Sequence, residues 1–501
     1  MKKVWIFFLL LFVSFAAISP CFSQSDQVKP SSALTKLNAE IIKLKVDPEL
    51  QHASWGLCVL SSKSGEVITE YNSHVSLIPA STLKIVTTAA ALSLLDSSFQ
   101  YETKLQYDGQ FDSITGTLKG NIFIKGGGDP SLESELFPTK KDSLGIIDQW
   151  VKIIKQKGIK KIEGAVIADA TIFEDELIPS EWIWGDMGNY YGAGSCGLSF
   201  RDNKYEIFLK SGNLVGDSTW IIRTEPEIPG LEFVNGIKAG GNGDNGYIYG
   251  SPYTNLRFLS GTIPQGKEKF SIEGSIPDPA WFCAYTLETN LRNNGIAVIG
   301  SPTTIRALKI NKKYSSKNRT LLHTHYSPNL SKIVYFTNLK SNNLYAEHLL
   351  KTIGFKQGGI GNDTTGINAV EKFWASKGID IKGLYMADGC GLSRMNTITT
   401  RQQAEILKVM TKETVFKPFF NSLPIAGKTG SLSSLGIGTF AENNLRAKSG
   451  YLTRARGYTG YVTNKSGEQL IFSILANNYE CSPAKMKKKI EKLMVLISDL
   501  E

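Results

Sequence analysis

The chain has 501 residues, of which 42% are hydrophobic and 20% charged, with a net charge of +10 at neutral pH. That length predicts two or three domains, and the balance fits a soluble globular protein with a sizeable core. The basic residues are scattered and carry no aromatic-basic stripe, which sets nucleic acid aside as a partner.

The first residues, Met1 to Gln24, carry Lys2-Lys3, an apolar run from Val4 to Ile18, and then Cys21-Phe22-Ser23. This pattern predicts a secretory signal peptide, residues 1–23, and export to the periplasm. The apolar run is short for a membrane anchor, and Pro20 is an unusual neighbour for lipid attachment at Cys21. Cys58, Cys196, Cys283, Cys390 and Cys481 remain. Their odd number and wide spacing argue against a disulfide framework and against a metal site, and predict buried small hydrophobes.

Leu34 to Leu44 has helical spacing, and Trp55–Leu60 and Glu66–Tyr71 read as strands joined at Ser62–Gly65. Pro79–Leu95, rich in Ala and Leu, predicts a buried helix. From Tyr101 the texture turns β-rich, with a tight Gly126-Gly-Gly-Asp-Pro130 loop that lacks the P-loop lysine and the dinucleotide spacing. Trp182, Trp184, Tyr190 and Tyr191 cluster around Asp186 and read as core or cleft wall. Helical texture returns at Pro279–Asn293, Asn342–Ile353, Ile367–Lys377 and Thr400–Thr411. Three strands follow, Ala447–Leu452, Thr459–Thr463 and Gln469–Ala476. The basic run Lys485 to Lys492, interleaved with Met486 and Ile490, predicts the solvated face of a last helix, with at most weak attraction to anionic wall polymer or lipid headgroups. These elements predict one α/β domain split into residues 24–99 and 277–501, around a β-rich insertion of one or two subdomains at 100–276.

Within Pro79–Leu95, Ser81 and Lys84 fall on one helical face, three positions apart. A lysine in so apolar a segment resists charge, and a neutral amine beside a serine is a general base. The alternative is a capping serine followed by a snorkelling lysine, as Ser482-Pro-Ala-Lys485 reads. An acylated serine also needs a proton relay, a group to hold the substrate amide and a seat for a substrate carboxylate. Ser-x-Asn occurs at 211–213, 327–329 and 341–343, and only Ser341-Asn-Asn343 opens an amphipathic helix, where capping is the competing role. Lys-Ser/Thr-Gly occurs five times, at 63–65, 210–212, 428–430, 448–450 and 465–467. Lys448-Ser-Gly450 alone lies on a strand beginning the terminal meander, where an extended substrate can pair and a glycine lets it approach.

Taken together, these stretches resemble the class C low-molecular-mass penicillin-binding proteins, the D-Ala-D-Ala carboxypeptidase/endopeptidase family. Pro79-Ala-Ser-Thr-Leu-Lys84, Ser341-Asn-Asn-Leu-Tyr-Ala-Glu347, Asp388-Gly-Cys-Gly-Leu-Ser393, Gly126–Pro130 and Arg446-Ala-Lys-Ser-Gly450 with Gly460-Tyr-Val462 occur in that family's order. Cys390 and Ser449 depart from the family's usual Ser and Thr, and Lys428-Thr429-Gly430 sits where the family has a Pro-x-x-Gly-x-x-Gly loop. The resemblance implies a penicillin-recognising serine transpeptidase/β-lactamase-like domain, an antiparallel sheet with helices. It implies that Ser81 is the nucleophile and Lys84 its base, that Ser341 and Lys448 relay the proton, and that Asn343 holds the acyl-side amide. Lys448 and Ser449, beside Gly450, then bind the terminal carboxylate, and the backbone N–H groups of Ser81 and Tyr451 hold the oxyanion. Peptidoglycan stem peptides are the implied substrate and β-lactams the implied covalent inhibitors, with no cofactor and no metal. The alternatives are an esterase or β-lactamase of the same fold, and a catalytically silent wall-binding scaffold. The exported protein is expected to begin at Gln24, which mass spectrometry of its N-terminal peptide checks.

Overall fold

The two ends of the chain build one antiparallel sheet, in the order Val67–Tyr71, Ser54–Ser61, Gln469–Asn477, Ala455–Thr463, Arg446–Leu452. This computed structural model describes residues 32–138, 144–315 and 317–501, so the expected signal peptide lies outside the described residues. Ser54–Ser61 is apolar without alternation because helices cover both faces of the sheet. Leu57 and Val59 pack with Leu37, Ile41, Ile490 and Leu493 of helices Ser32–Lys45 and Pro483–Ser498. Cys58 and Leu60 point the other way, into a core with Val86 and Ile406 of helices Lys84–Leu95 and Thr400–Met410. The last helix starts as its sequence suggests, with Ser482 accepting from the Lys485 N–H and Pro483 in the first turn. Its lysines do more than face solvent: Lys492 pairs with Glu40 of the first helix, and Lys489 and Lys485 pair with Asp47 and Glu49 of the turn that follows it.

Pro79–Leu95 is not one continuous α-helix. A 3₁₀ turn, Ala80–Leu83, precedes the α-helix Lys84–Leu95. Every residue from Lys84 to Leu92 is buried, and the run of small alanines lets helices Leu330–Lys340 and Asn343–Gly358 pack close. No helix among the described residues is long and apolar enough to cross a membrane. All five described cysteines are buried free thiols.

The β-rich insertion is larger than its texture predicts. Thr320–Tyr326 pairs with Glu102–Tyr107, and Thr303–Thr304 pairs with Val166–Asp169, in a five-stranded sheet that also contains Ile122–Lys125. Helix Pro279–Asn293 sinks Phe282, Leu287 and Leu291 into the same core as Trp150, Ile207 and Ile272. The return to the first domain therefore falls after Tyr326 rather than at residue 277. Three further sheets complete the insertion, one of Thr219–Glu225, Lys204–Ser211 and Phe270–Ser275, one centred on Leu256–Ile263, and one of Gln110–Asp112, Thr117–Lys119, Lys161–Ile162 and Ala297–Val298.

One buried side chain joins the sheet to the turn that carries Ser81. The Gln403 amide donates to Thr82 Oγ1 at 2.9 Å, and its carbonyl accepts from Thr459 Oγ1 at 2.6 Å and Ser473 Oγ at 2.8 Å. Leucine at this position removes all three bonds. Thr82 Oγ1 keeps the Pro79 carbonyl and Thr459 and Ser473 keep each other, so the loss is about 1 kcal/mol per bond. Gln403→Leu is therefore expected to lower the midpoint of thermal unfolding, read by calorimetry, and to slow reactions at Ser81 by loosening its turn.

Candidate active site

Three segments distant in sequence converge on the amino group of Lys84. Its Nζ lies 3.0 Å from Ser81 Oγ, 2.7 Å from Asn343 Oδ1 and 2.7 Å from the Cys390 carbonyl. The first distance follows from the 3₁₀ turn, in which side chains three apart nearly eclipse. Ser81 is not a capping residue: the turn has no side-chain cap, and its hydroxyl faces the amine. Lys84 is fully buried, and desolvation lowers its pKa against the opposing pull of Cys390, Asp388 and Glu347. The contacts also let the amine work as a base once it is neutral. Its two N–H groups serve the Asn343 and Cys390 carbonyls, which can only accept, and its lone pair faces the Ser81 hydroxyl, which can donate.

Asn343 is held in that orientation from the other side, because its Nδ2 donates to the Tyr191 carbonyl at 2.8 Å. Tyr191 belongs to the insertion, so the aromatic cluster around Asp186 is a cleft wall. Tyr190 and Tyr191 line a cavity of about 420 Å³ with Ser341, Asn343, Lys204 and Lys340. Trp182 Nε1 donates to Asp388 at 3.0 Å, and Asp186 accepts from Arg394 at 3.4 Å.

The second pair is Lys448 and Ser341. Lys448 Nζ donates to Ser341 Oγ at 2.9 Å and to the Ser449 carbonyl at 2.9 Å. Lys448 is fully buried, and desolvation, then the neighbouring Lys84, hold its pKa well below the usual lysine value. Ser341 does not cap the helix either. Asn342 does, accepting from the Tyr345 N–H, while Ser341 sits between two helices with φ of +57°. That left-handed conformation is strained for a non-glycine residue and turns the hydroxyl toward Lys448.

Gly450 answers a different need from the one its motif suggests. A Cβ there would lie 2.4 Å from the Pro79 carbonyl and 3.0 Å from the Thr82 nitrogen. The glycine thus lets the edge strand dock on the Ser81 turn. Across the turn, Gly391 has φ of +84°, and a Cβ there would lie 1.9 Å from the Ala80 carbonyl. Strand Arg446–Leu452 is the sheet edge, and Ala447 N–H already points off it to the Pro424 carbonyl. By the two-residue period, the Tyr451 N–H faces the same open side. The Tyr451 side chain is 52% exposed.

Several site groups carry no motif signal or were read otherwise. The Cys390 carbonyl contributes through backbone, so its side-chain identity gives no clue. Asp388 accepts from the N–H groups of Cys390, Gly391 and Ser393 and from Asn396 Nδ2, and Glu347 accepts from the Gly389 N–H. Glu347, Asp388 and Cys390 lie together, yet these donors occupy the carboxylate oxygens, making the cluster a clamp on the 388–393 loop. The pattern Asp-Gly-x-Gly is the signal for such a loop-closing aspartate, because an aspartate side chain accepts from backbone N–H groups just beyond it. Lys428 is exposed, but its loop is near the site: Ser449 Oγ donates to Ser431 Oγ at 2.6 Å.

Comparison with known proteins agrees with this geometry. Residues 37–500 match the D-Ala-D-Ala carboxypeptidase 3 (S13) family. A D-alanyl-D-alanine carboxypeptidase from an Actinomadura species is 27% identical over 95% of this chain and 86% of its own. The D-alanyl-D-alanine carboxypeptidase DacB of Haemophilus influenzae is 25% identical over 87% of each chain. The crystal structure of penicillin binding protein 4 from Haemophilus influenzae superposes with a TM-score of 0.76 at 22% identity, covering 93% of this chain and 98% of that one. With the match extending over nearly its whole length, the chain belongs to the D-Ala-D-Ala carboxypeptidase 3 (S13) family of serine peptidases.

Proposed function

We propose that this protein is an exported peptidase that cleaves the terminal D-Ala-D-Ala bond of peptidoglycan stem peptides through an acyl-enzyme on Ser81. The observation that carries the assignment is the buried, charge-resisting Lys84 amine 3.0 Å from the Ser81 hydroxyl. Lys84 takes the Ser81 proton as Oγ attacks the carbonyl carbon between the two D-alanines. The N–H groups of Ser81 and Tyr451 receive the oxyanion. Ser341, supplied by Lys448, passes a proton to the departing nitrogen, the C–N bond breaks, and D-alanine leaves. The proton that Lys84 took from Ser81 returns through Lys448 to Ser341, so Lys84 is neutral again. Water then attacks the Ser81 ester, Lys84 accepts its proton, and that proton passes to Ser81 Oγ as the acyl–oxygen bond breaks. Asn343, whose remaining N–H is not used by Tyr191, holds the acyl-side amide. The burial of Lys448 favours the relay over direct contact with a substrate carboxylate, and that contact falls to the Ser449 hydroxyl. A β-lactam follows the first half of the same path and stays on Ser81. The periplasmic location rests on the N-terminal pattern of residues 1–23.

Benzylpenicillin is expected to add one acyl mass to the wild-type protein and none to Ser81→Ala, read by intact-protein mass spectrometry. Lys448→Ala is expected to slow that labelling by about 10²-fold or more, the scale of a lost proton relay, whereas Lys428→Ala leaves most of it. The reverse pattern would contradict the assignment of the relay lysine. Labelling is also expected to depend on pH with a definite sign. Protonation of Lys84 removes its lone pair, so the rate falls as pH drops through its lowered pKa and rises toward alkaline pH. In Lys84→Arg the guanidinium stays charged, and stopped-flow labelling should show neither the rate nor its rise.

A further inference from the structure

The loop before the edge strand reaches the cleft with a hydroxyl group. Ser431 is exposed, and its Oγ lies 2.6 Å from that of Ser449. Ser449 donates in this pair, which leaves the Ser431 proton uncommitted and polarised by the bond its oxygen accepts. A carboxylate presents two oxygens, each seeking donors. Lys448, one residue before Ser449, is buried and spends its N–H groups on Ser341 Oγ and the Ser449 carbonyl. A carboxylate arriving at Ser449 draws that hydroxyl's proton from Ser431 Oγ to one of its own oxygens and still needs a second donor, which the uncommitted Ser431 proton is placed to give.

The loop holds that hydroxyl in position from several sides. The Ile425 N–H donates to Thr429 Oγ1 at 2.9 Å, the Gly427 N–H to the Leu432 carbonyl at 2.9 Å, and the Ala426 N–H to the Leu445 carbonyl at 2.9 Å. Leu432 is fully buried beneath it. Gly430, with φ of +56°, passes so close to the Leu339 carbonyl that a Cβ would lie 2.8 Å from it. Ser431 is thus registered both to the edge strand and to the helix end that leads into Ser341.

We propose that Ser431 is a substrate-binding residue, which with Ser449 forms a two-hydroxyl seat for the carboxylate of the leaving D-alanine. This rests on the reading of the site as a D-Ala-D-Ala peptidase. The seat is neutral, so it reads a carboxylate by hydrogen bonds, and a donor lost there weakens binding more than chemistry.

The test compares a synthetic N-acyl D-Ala-D-Ala peptide with its C-terminal carboxamide on wild type, Ser431→Ala and Ser431→Thr. Ser431→Ala is expected to raise KM for the carboxylate peptide about tenfold with little change in kcat, the scale of one lost charge-assisted hydrogen bond. The carboxamide is expected to change far less, so the preference for carboxylate falls, and Ser431→Thr restores it. An unchanged preference in Ser431→Ala, or an equal loss of kcat on both peptides, overturns the proposal in favour of a structural role for the loop. A wild type that releases D-alanine with an unaltered preference in Ser431→Ala overturns this inference alone. A wild type that releases none overturns the peptidase reading with it.

Discussion

A buried amine with no countercharge in contact is the constraint on which the structure turns. Lys84 is surrounded by oxygens that can accept its two N–H groups or offer it a proton, and each comes from a separate segment. An amine buried without those partners would cost several kcal/mol, so each segment must be held firmly enough to supply its oxygen. Ser81 is anchored through Thr82 to Gln403, Asn343 through its amide to Tyr191, and the Cys390 carbonyl by the N–H groups that Asp388 gathers. The arrangement has a stability cost with a definite sign. Below 10.5 the unfolded chain keeps this lysine protonated while the native amine is reluctant to be, so the unfolded state binds more protons. The penalty is full below the depressed native pKa and fades as pH rises toward 10.5.

Close backbone contact does the rest of the positioning. Ala80, the residue before the nucleophile, is buried with φ of +48°. A non-glycine residue in that region is strained, and the strain persists only where neighbours enforce it. Here Gly391 and Gly450 close on the Ala80 and Pro79 carbonyls from two sides, and any side chain on either glycine would force them apart. The two glycines of the third motif and of the Asp388–Ser393 block are therefore parts of one clamp on the Ser81 turn.

Much of this was readable before the fold was known, for reasons that can be stated. Ser81, Lys84, Ser341, Asn343 and Lys448 meet through their side chains, and their spacing on a turn, a helix start and a strand leaves a residue pattern. The terminal meander and its flanking helices also showed, because strands buried on both faces and capped amphipathic helices are strongly patterned. The role of Gly450 did not show, since a missing side chain reveals neither which neighbour uses the space nor from which direction. The Cys390 and Tyr191 carbonyls left no trace for a similar reason: any residue type supplies one. The end of the insertion was misplaced because helix Pro279–Asn293 is amphipathic, and periodicity tells which face is buried but not against which domain.

The insertion in turn explains a motif that has no chemistry of its own. Helix Asn343–Gly358 begins at the second motif, and its Tyr345, His348 and Lys351 point into the insertion. Tyr345 Oη lies 2.7 Å from Ser134 Oγ and 3.1 Å from Asp202 Oδ1, and Lys351 donates to the Glu176 carbonyl at 2.6 Å. His348 is wholly buried, which pushes its pKa down to about 3 and keeps the ring neutral. A neutral ring has one donor and one acceptor. The Gly128 carbonyl, 2.7 Å from Nδ1, can only accept, so Nδ1 carries the proton and Nε2 accepts from the Ser199 hydroxyl at 2.8 Å. The Gly126–Pro130 loop thus sets the tautomer of a histidine one turn beyond Asn343 and Leu344. The same helix cannot rotate without breaking these bonds, and with it Asn343 would leave Lys84. The β-rich insertion is therefore part of the catalytic framework, because it fixes the face that this helix presents to the nucleophile.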